Sequence, residues 1–205
     1  MKKIILVILG FIIVFIIYLV NIDNKVYVVS IGDSIVLGNS DNNYHKYISK
    51  YLNSRKKLEK SVVFKNDGDY RIIDLINDIN NNKEFTYNNN SYTINNVLVK
   101  ADLTVISIGM NDLLYNKINN NYEYIDEVLS DLNDLLFLIR KYNKEKIYMF
   151  NYYDIINNDV TGYVNGKLKT LALNYDVNII DISNIKNINN YTELKSYFKF
   201  LDKLY

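Results

Sequence analysis

Apolar positions along this chain fall into runs of different kinds. One, Ile4–Val20, is long, unbroken and uncharged. Others are short and β-branched, at Val26–Ile31, Val62–Phe64, Leu103–Ile108, Ile147–Phe150 and Val177–Ile182. None of the short runs alternates with polar residues, which is the pattern of strands buried on both faces of a parallel sheet. A third kind recurs at spacings of three and four: Ile125, Val128, Leu129, Leu132, Leu135, Leu136 and Ile139 share one stripe of a helix. Its ends suit the helix dipole, with Glu123, Asp126 and Glu127 near the start and Arg140, Lys141 and Lys144 at or after the finish. Shorter helices are predicted at Tyr44–Lys56, Arg71–Asn80, Asn165–Tyr175 and Tyr191–Leu204. Strands and helices that alternate in this way predict an α/β domain of three layers, a five-stranded parallel sheet joined by right-handed crossovers. The polar stretches Asn80–Tyr92 and Asn184–Asn190 read as surface loops, the first alternatively as a small local ribbon.

The run Ile4–Val20 stands apart from this domain. At about 1.5 Å per residue it comes close to the ~30 Å of a bilayer's hydrocarbon core. Lys2 and Lys3 precede it, and Lys25 is the nearest basic residue after it, which favours an N-terminus in the cytoplasm and a domain on the extracellular side. No small-x-small site lies in Tyr18–Asp23, so an uncleaved signal-anchor is read over a cleaved signal peptide. Residues 1–24 are therefore assigned to a single-pass transmembrane segment and residues 25–205 to one domain, and the protein is expected at the cell membrane.

Composition narrows the chemistry. The 205 residues hold 24 basic and 23 acidic side chains, a net charge of +1 with no basic face for nucleic acid. The sequence has no cysteine, which excludes disulfides, thiolate metal sites and a lipid-modified cysteine anchor. Metal-ligand spacing is absent, as is a phosphate loop, because Gly32–Gly38 has no Walker lysine; no cofactor or metal is expected.

Candidate chemistry lies where two strands end. Val26–Ile31 runs into Gly32-Asp33-Ser34, and Leu103–Ile108 runs into Gly109-Met110-Asn111-Asp112. In open parallel sheets ligands bind at the carboxyl ends of strands where the strand order reverses. With a strand order of 2-1-3-4-5 the first and third strands flank that reversal, and both corners share a crevice. Gly32 permits a sharp turn, Ser34 is a candidate nucleophile close to a helix N-terminus, and Asn111 can offer an amide to a developing oxyanion. The plain alternative is that Asp33-Ser34 and Asn111-Asp112 cap the helices that follow them.

Gly-Asp-Ser after the first strand and Gly-x-Asn-Asp after the third resemble the SGNH/GDSL hydrolases, and the resemblance extends over the domain from Val26 onward. It implies a flavodoxin-like sheet of order 2-1-3-4-5 and hydrolysis of lipid acyl esters or O-acetylated glycans. It implies Ser34 as nucleophile and source of one oxyanion N–H, and Asn111 as oxyanion-hole amide. The family's further oxyanion glycine falls after the second strand, where Asn66–Arg71 offers only Gly68. The family's C-terminal Asp-x-x-His has no counterpart, and the chain stops at Tyr205 about where that motif begins.

The single histidine, His45, lies in the first predicted helix, four residues after Asp41. A helix-surface histidine is ordinarily only solvated, and His45 is a poor substitute base. Asp202 is a conceivable relic of the lost motif, though its lysine- and aromatic-rich surroundings read as surface. Without a base a serine hydroxyl is a weak nucleophile. The sequence thus leaves three readings open: an impaired serine ester hydrolase, a pseudoenzyme that binds an acyl or glycan ligand, and a truncated homologue.

Overall fold

A computed structural model describes residues 25–33, 43–66, 68–115, 122–153, 158–185 and 195–204. The transmembrane segment expected within residues 1–24, and Ser34 itself, lie outside these. Among the described residues no helix is long and apolar enough to cross a membrane.

The five apolar runs become β1 (Val26–Gly32), β2 (Leu58–Lys65), β5 (Leu103–Ser107), β6 (Lys146–Phe150) and β7 (Val177–Ile180). All four pairings among them are parallel, in the order β2-β1-β5-β6-β7. This numbering departs from the expected 2-1-3-4-5 because a separate ribbon, β3 (Glu84–Tyr87) with β4 (Asn90–Thr93), intervenes in the chain. The reversal falls at β1, between β2 and β5. β1 and β5 are buried along their whole length, which is why their sequences carry no polar alternation. β2 is an edge strand whose first half is largely exposed, so Leu58-Glu-Lys-Ser61 carries no apolar signature and only Val62–Phe64 was legible.

Helices cover both faces. One face packs Val29, Ile31, Ile106 and Met149 against α2 (Ile72–Asn80), α3 (Ile94–Lys100), α5 (Tyr122–Tyr142) and α6 (Asn158–Asn174). The other packs Val28, Val105 and Phe150 against Tyr44, Ile48 and Leu52 of α1 (Tyr44–Ser54) and against Phe198 and Leu201 of the C-terminal segment. A short helix, α4 (Met110–Tyr115), follows β5.

Departures from the expected elements have local causes. Within the polar stretch Asn80–Tyr92, Asn88 and Asn89 both take positive φ, +48° and +61°, and so close a two-residue hairpin between Tyr87 and Asn90. Asparagine tolerates that left-handed backbone better than other non-glycine residues, so a run that looks structureless specifies a turn. α3 was missed because seven residues give too short a periodic pattern. α6 begins at Asn158, seven residues before the predicted Asn165. The helix expected over Tyr191–Leu204 lies partly outside the described residues; turns occupy 197–200, and α7 spans only Leu201–Leu204.

Candidate active site

β1 and β5 leave the sheet side by side. Gly32 pairs with Ser107, and the Asp33 amide donates to the Ser107 carbonyl at 2.9 Å. Gly32 has φ +149°, a conformation open to glycine and strained for other residues, so the glycine foreseen as the turning point is one. Asp33 is 1% exposed. Tyr44 and Tyr152 are pushed well above the ordinary phenol range by burial first, with the Asp33 carboxylate adding to the shift. Ser34 is the next residue in the chain.

The second corner is built around Gly109. Its φ is +101°, and a Cβ there would overlap the Tyr152 hydroxyl, which donates to the Ile108 carbonyl at 3.1 Å. Tyr152 is itself held by Asn165, whose side chain accepts from its amide and donates to its carbonyl. A space of about 10 Å³ between these groups, bounded by Asp33, Ser107 and Asn151 among others, has room for about one water.

Asn111 and Asp112 both reach across to the segment between β2 and α2. The Asn111 Nδ2 donates to the carbonyls of Gly68 at 3.2 Å and Tyr70 at 2.9 Å. Two carbonyl partners fix which end of the amide is nitrogen, and they occupy both of its donor hydrogens. Asp112 accepts from the Ile72 amide at 3.1 Å, the first amide of α2, and so satisfies an end of a helix other than the one it sits on. Burial raises Asp112 to about 6, against the lowering effect of that backbone bond and of Arg71. Asn111 then borders an open crevice of about 460 Å³, lined also by Asp69, Arg71, Asp74 and Leu114.

His45 is not a surface residue. It is 2% exposed on the α1 face of the sheet, with Nδ1 2.7 Å from the Ser30 Oγ and Nε2 without a hydrogen-bond partner. Burial lowers it to about 4, which keeps the ring neutral at physiological pH. Ser30 and His45 have the spacing of a nucleophile and its base, yet both are sealed beneath α1, where no ester reaches them. Tyr87 of the ribbon closes the site edge-on, its ring centroid 6.2 Å from the imidazole.

The structure therefore brings Asn111 and Gly68 together at the crevice and places His45 in the core. Asp202 is not at the crevice; it accepts from Tyr51 Oη at 2.6 Å and Arg55 Nη2 at 2.9 Å, tying α7 to α1. Sequence reasoning did not find the bridging roles of Asp112 and Tyr152. Adjacency to Asn111 was a signal for the first; nothing local marked the second. It also passed over Asp181 after β7, which accepts from Asn151 at 2.7 Å and the Ser183 amide at 3.0 Å. Burial alone would raise Asp181, but Ser183 and Asn151 together hold it below the usual carboxylate range. Among the described residues no cluster of three or more acidic or histidine side chains could hold a metal ion.

No protein-family model matches this sequence, and no curated protein sequence matches it either. Solved structures do match its fold. A lipase from a goat rumen metagenome, Lip_vut3, is similar with a TM-score of 0.63 and 14% identity, over 85% of this chain and 98% of that one. The acetyl xylan esterase AlAXEase gives a TM-score of 0.58 and 16% identity over 83% of each chain. AlinE4, an SGNH-hydrolase family esterase, gives 0.55 and 15% over 86% of this chain and 82% of that one. The fold of this chain is that of the SGNH/GDSL hydrolases.

Proposed function

From a chain with the SGNH/GDSL-hydrolase fold, we propose a serine ester hydrolase of low activity, held at the membrane by its N-terminal segment. Ser34 is the nucleophile in this reading, and its own amide forms the oxyanion hole together with the Asn111 side chain, whose Nδ2 exchanges its longer 3.2 Å bond to the Gly68 carbonyl for the oxyanion; the Gly68 amide is a further donor. The observation that carries it is the Asp33–Ser107 hydrogen bond: the backbone just before Ser34 runs beside the strand that leads to Asn111. The substrates are esters with a small acyl group, lipid-borne or on an acetylated glycan. Among the described residues that line the crevice, Asp69, Arg71 and Asp74 are charged and Leu114 is apolar, a lining that suits a polar alcohol portion better than a long acyl chain.

Low activity follows from the histidine. The chain has one, and it is neutral, buried and bonded to Ser30. A serine triad deprived of a member keeps roughly 10³–10⁴-fold acceleration from the oxyanion hole and binding alone. Nitrophenol release from nitrophenyl acetate tests the proposal. A slow rate lost in Ser34→Ala supports it, and equal rates in the two proteins refute it. The same buried histidine favours a second reading, a binding protein that keeps the crevice for an acyl or glycan ligand. That reading requires binding of an acetylated oligosaccharide in Ser34→Ala to equal that of the unmodified chain, with no turnover in either.

The apolar run Ile4–Val20 behind Lys2 and Lys3 supports the membrane anchor, with the domain on the extracellular side. Protease added outside intact cells tests it: digestion of the domain is expected, and full protection refutes this orientation.

A further inference from the structure

We infer that the end of the domain opposite the crevice is a docking surface for an anionic lipid bilayer. In a parallel sheet with helical crossovers, the amino ends of the strands and the C-terminal ends of the helices lie at one pole. Backbone bonds knit that pole together here: Val26 donates to Lys57, Asp102 to Tyr27, and Lys146 to Asp102. The Asn143 side chain ties the end of α5 to the carbonyls of Leu98 and Ala101, and Arg140 ties it to those of Tyr175 and Asp176.

Basic residues collect at this pole. Lys25, Lys56, Lys57, Lys100, Lys144 and Lys146 stand at or beside the starts of β1, β2, β5 and β6, five of them exposed and Lys57 partly so. Acidic neighbours are fewer: Glu59, Glu145, Asp176 and Asp202 are exposed, the last paired with Arg55, and Asp102 accepts from the Tyr27 amide. Among the described residues the crevice pole carries the opposite bias, with Asp33, Asp69, Asp74, Asp112 and Asp181 against Lys46, Lys65 and Arg71. Among the described residues, charge is thus divided into a basic and an acidic end.

Apolar side chains reinforce the bias. Val99, Phe137 and Leu173 are 61%, 60% and 74% exposed, and each lies in the last two turns of its helix, at the end nearer the basic pole. Exposed apolar side chains among lysines are the composition of an interfacial surface, where the apolar groups enter the headgroup layer and the ammonium groups meet lipid phosphates.

Chain length points to the bilayer as the occupant. Only Asn21–Asn24 separates the apolar run from Lys25, and four residues reach at most about 14 Å. With Ile4–Val20 in a bilayer, the basic pole is held within one to two Debye lengths of its surface. The inference rests on the proposed anchor for that placement alone; the charge bias is independent of it. Docking turns the crevice away from the membrane by at least the length of β1, roughly 20 Å, toward esters presented from outside the bilayer.

The test uses the full chain with phosphatidylcholine vesicles and with vesicles of phosphatidylcholine and phosphatidylglycerol. Accessible lysines are acetylated and read by mass spectrometry. On the anionic vesicles, labelling of Lys56, Lys100 and Lys144 is expected to fall roughly fivefold relative to the neutral ones and to recover in high salt. Lys46 and Lys65, at the crevice pole, serve as unchanged references. In the combined variant Lys56→Glu, Lys100→Glu, Lys144→Glu, labelling of the remaining Lys25 and Lys146 is expected to lose its lipid dependence while Lys46 and Lys65 label as in the unmodified chain. Equal labelling on both vesicles, in a protein that sediments with both, overturns the docking surface and keeps the anchor. Sedimentation with anionic vesicles alone supports the docking surface and overturns the anchor. Sedimentation with neither overturns both.

Discussion

The Oγ of Ser30 and the Nδ1 of His45 stand 2.7 Å apart, enclosed between β1 and α1. This contact fixes what the only histidine of the chain does. Whichever of the two groups donates, the far side of the ring is left buried without a partner, and the neutral form is the one the core accepts.

The first prediction follows from that burial. His45 has a folded value near 4 against an ordinary value of 6.5, so between these pH values the unfolded chain binds a proton that the folded chain refuses. Stability is then unaffected by this group above about pH 6.5 and is lost as pH falls toward 4, by roughly 3 kcal/mol in all. Urea denaturation at pH 7.5 and 4.5 measures it. His45→Gln, which carries no titrating group, is expected to show a smaller loss across the same interval; an equal loss refutes the assignment.

Asn111 and Asp112 give a second, separable pair of expectations. Asn111→Ala removes an amide that holds two carbonyls, and a stability loss of about 1 kcal/mol is expected. If it also serves the oxyanion, residual ester turnover falls roughly 10²–10³-fold with KM little changed. Asp112 titrates in the opposite sense to His45. Its folded value is about 6 against 3.8, so it weakens the fold at neutral pH and the penalty disappears as pH falls from 6 toward 4. Asp112→Asn keeps an acceptor for the Ile72 amide and is expected to raise the urea midpoint at pH 7.5 but not at pH 4.

Gly109 tests the second corner without touching its chemistry. Gly109→Ala forces a Cβ onto a backbone of φ +101° and against the Tyr152 hydroxyl. Backbone strain of about 1–3 kcal/mol and a similar overpacking cost are expected together. Adding Tyr152→Phe should recover the second part and leave the first, because it removes the hydroxyl but not the φ. Thermal unfolding of the three variants measures both; failure of the double variant to recover anything sinks the account of the overlap.

The sheet was legible because its central strands are buried on both faces, so β1 and β5 carry unbroken apolar sequence. β2, half exposed at the edge, was legible only in its buried half. The asparagine-rich stretch misled for a different reason: periodicity reports burial, whereas Asn88 and Asn89 specify a turn through backbone conformation. At the site, Asn111 borders the open crevice from its place just after β5, while Ser34 of the other motif lies outside the described residues. The place of His45 could not be read that way. Tyr44, His45 and Ile48 all face the core, and an inward-facing imidazole became legible only once Ser30, fifteen residues earlier, was known to meet it.

The C-terminal segment supplies the last prediction, a contrast between two of its residues. Phe198 is buried among Tyr44, Tyr47 and Phe150, with ring centroids 5.3–6.3 Å away. Asp202 accepts from Tyr51 and Arg55 at the surface, where solvent screens the pair. Phe198→Ala is therefore expected to destabilise the domain by about 3–5 kcal/mol, and Asp202→Asn by under about 1 kcal/mol. Because Phe198 packs on Tyr44, immediately before His45, its loss is also expected to loosen α1 and admit solvent to the Ser30–His45 pair. Hydrogen exchange of the α1 amides in Phe198→Ala checks this. Faster exchange in α1 with β5 unchanged is the expected result, and uniform acceleration would show that the segment supports the whole core instead.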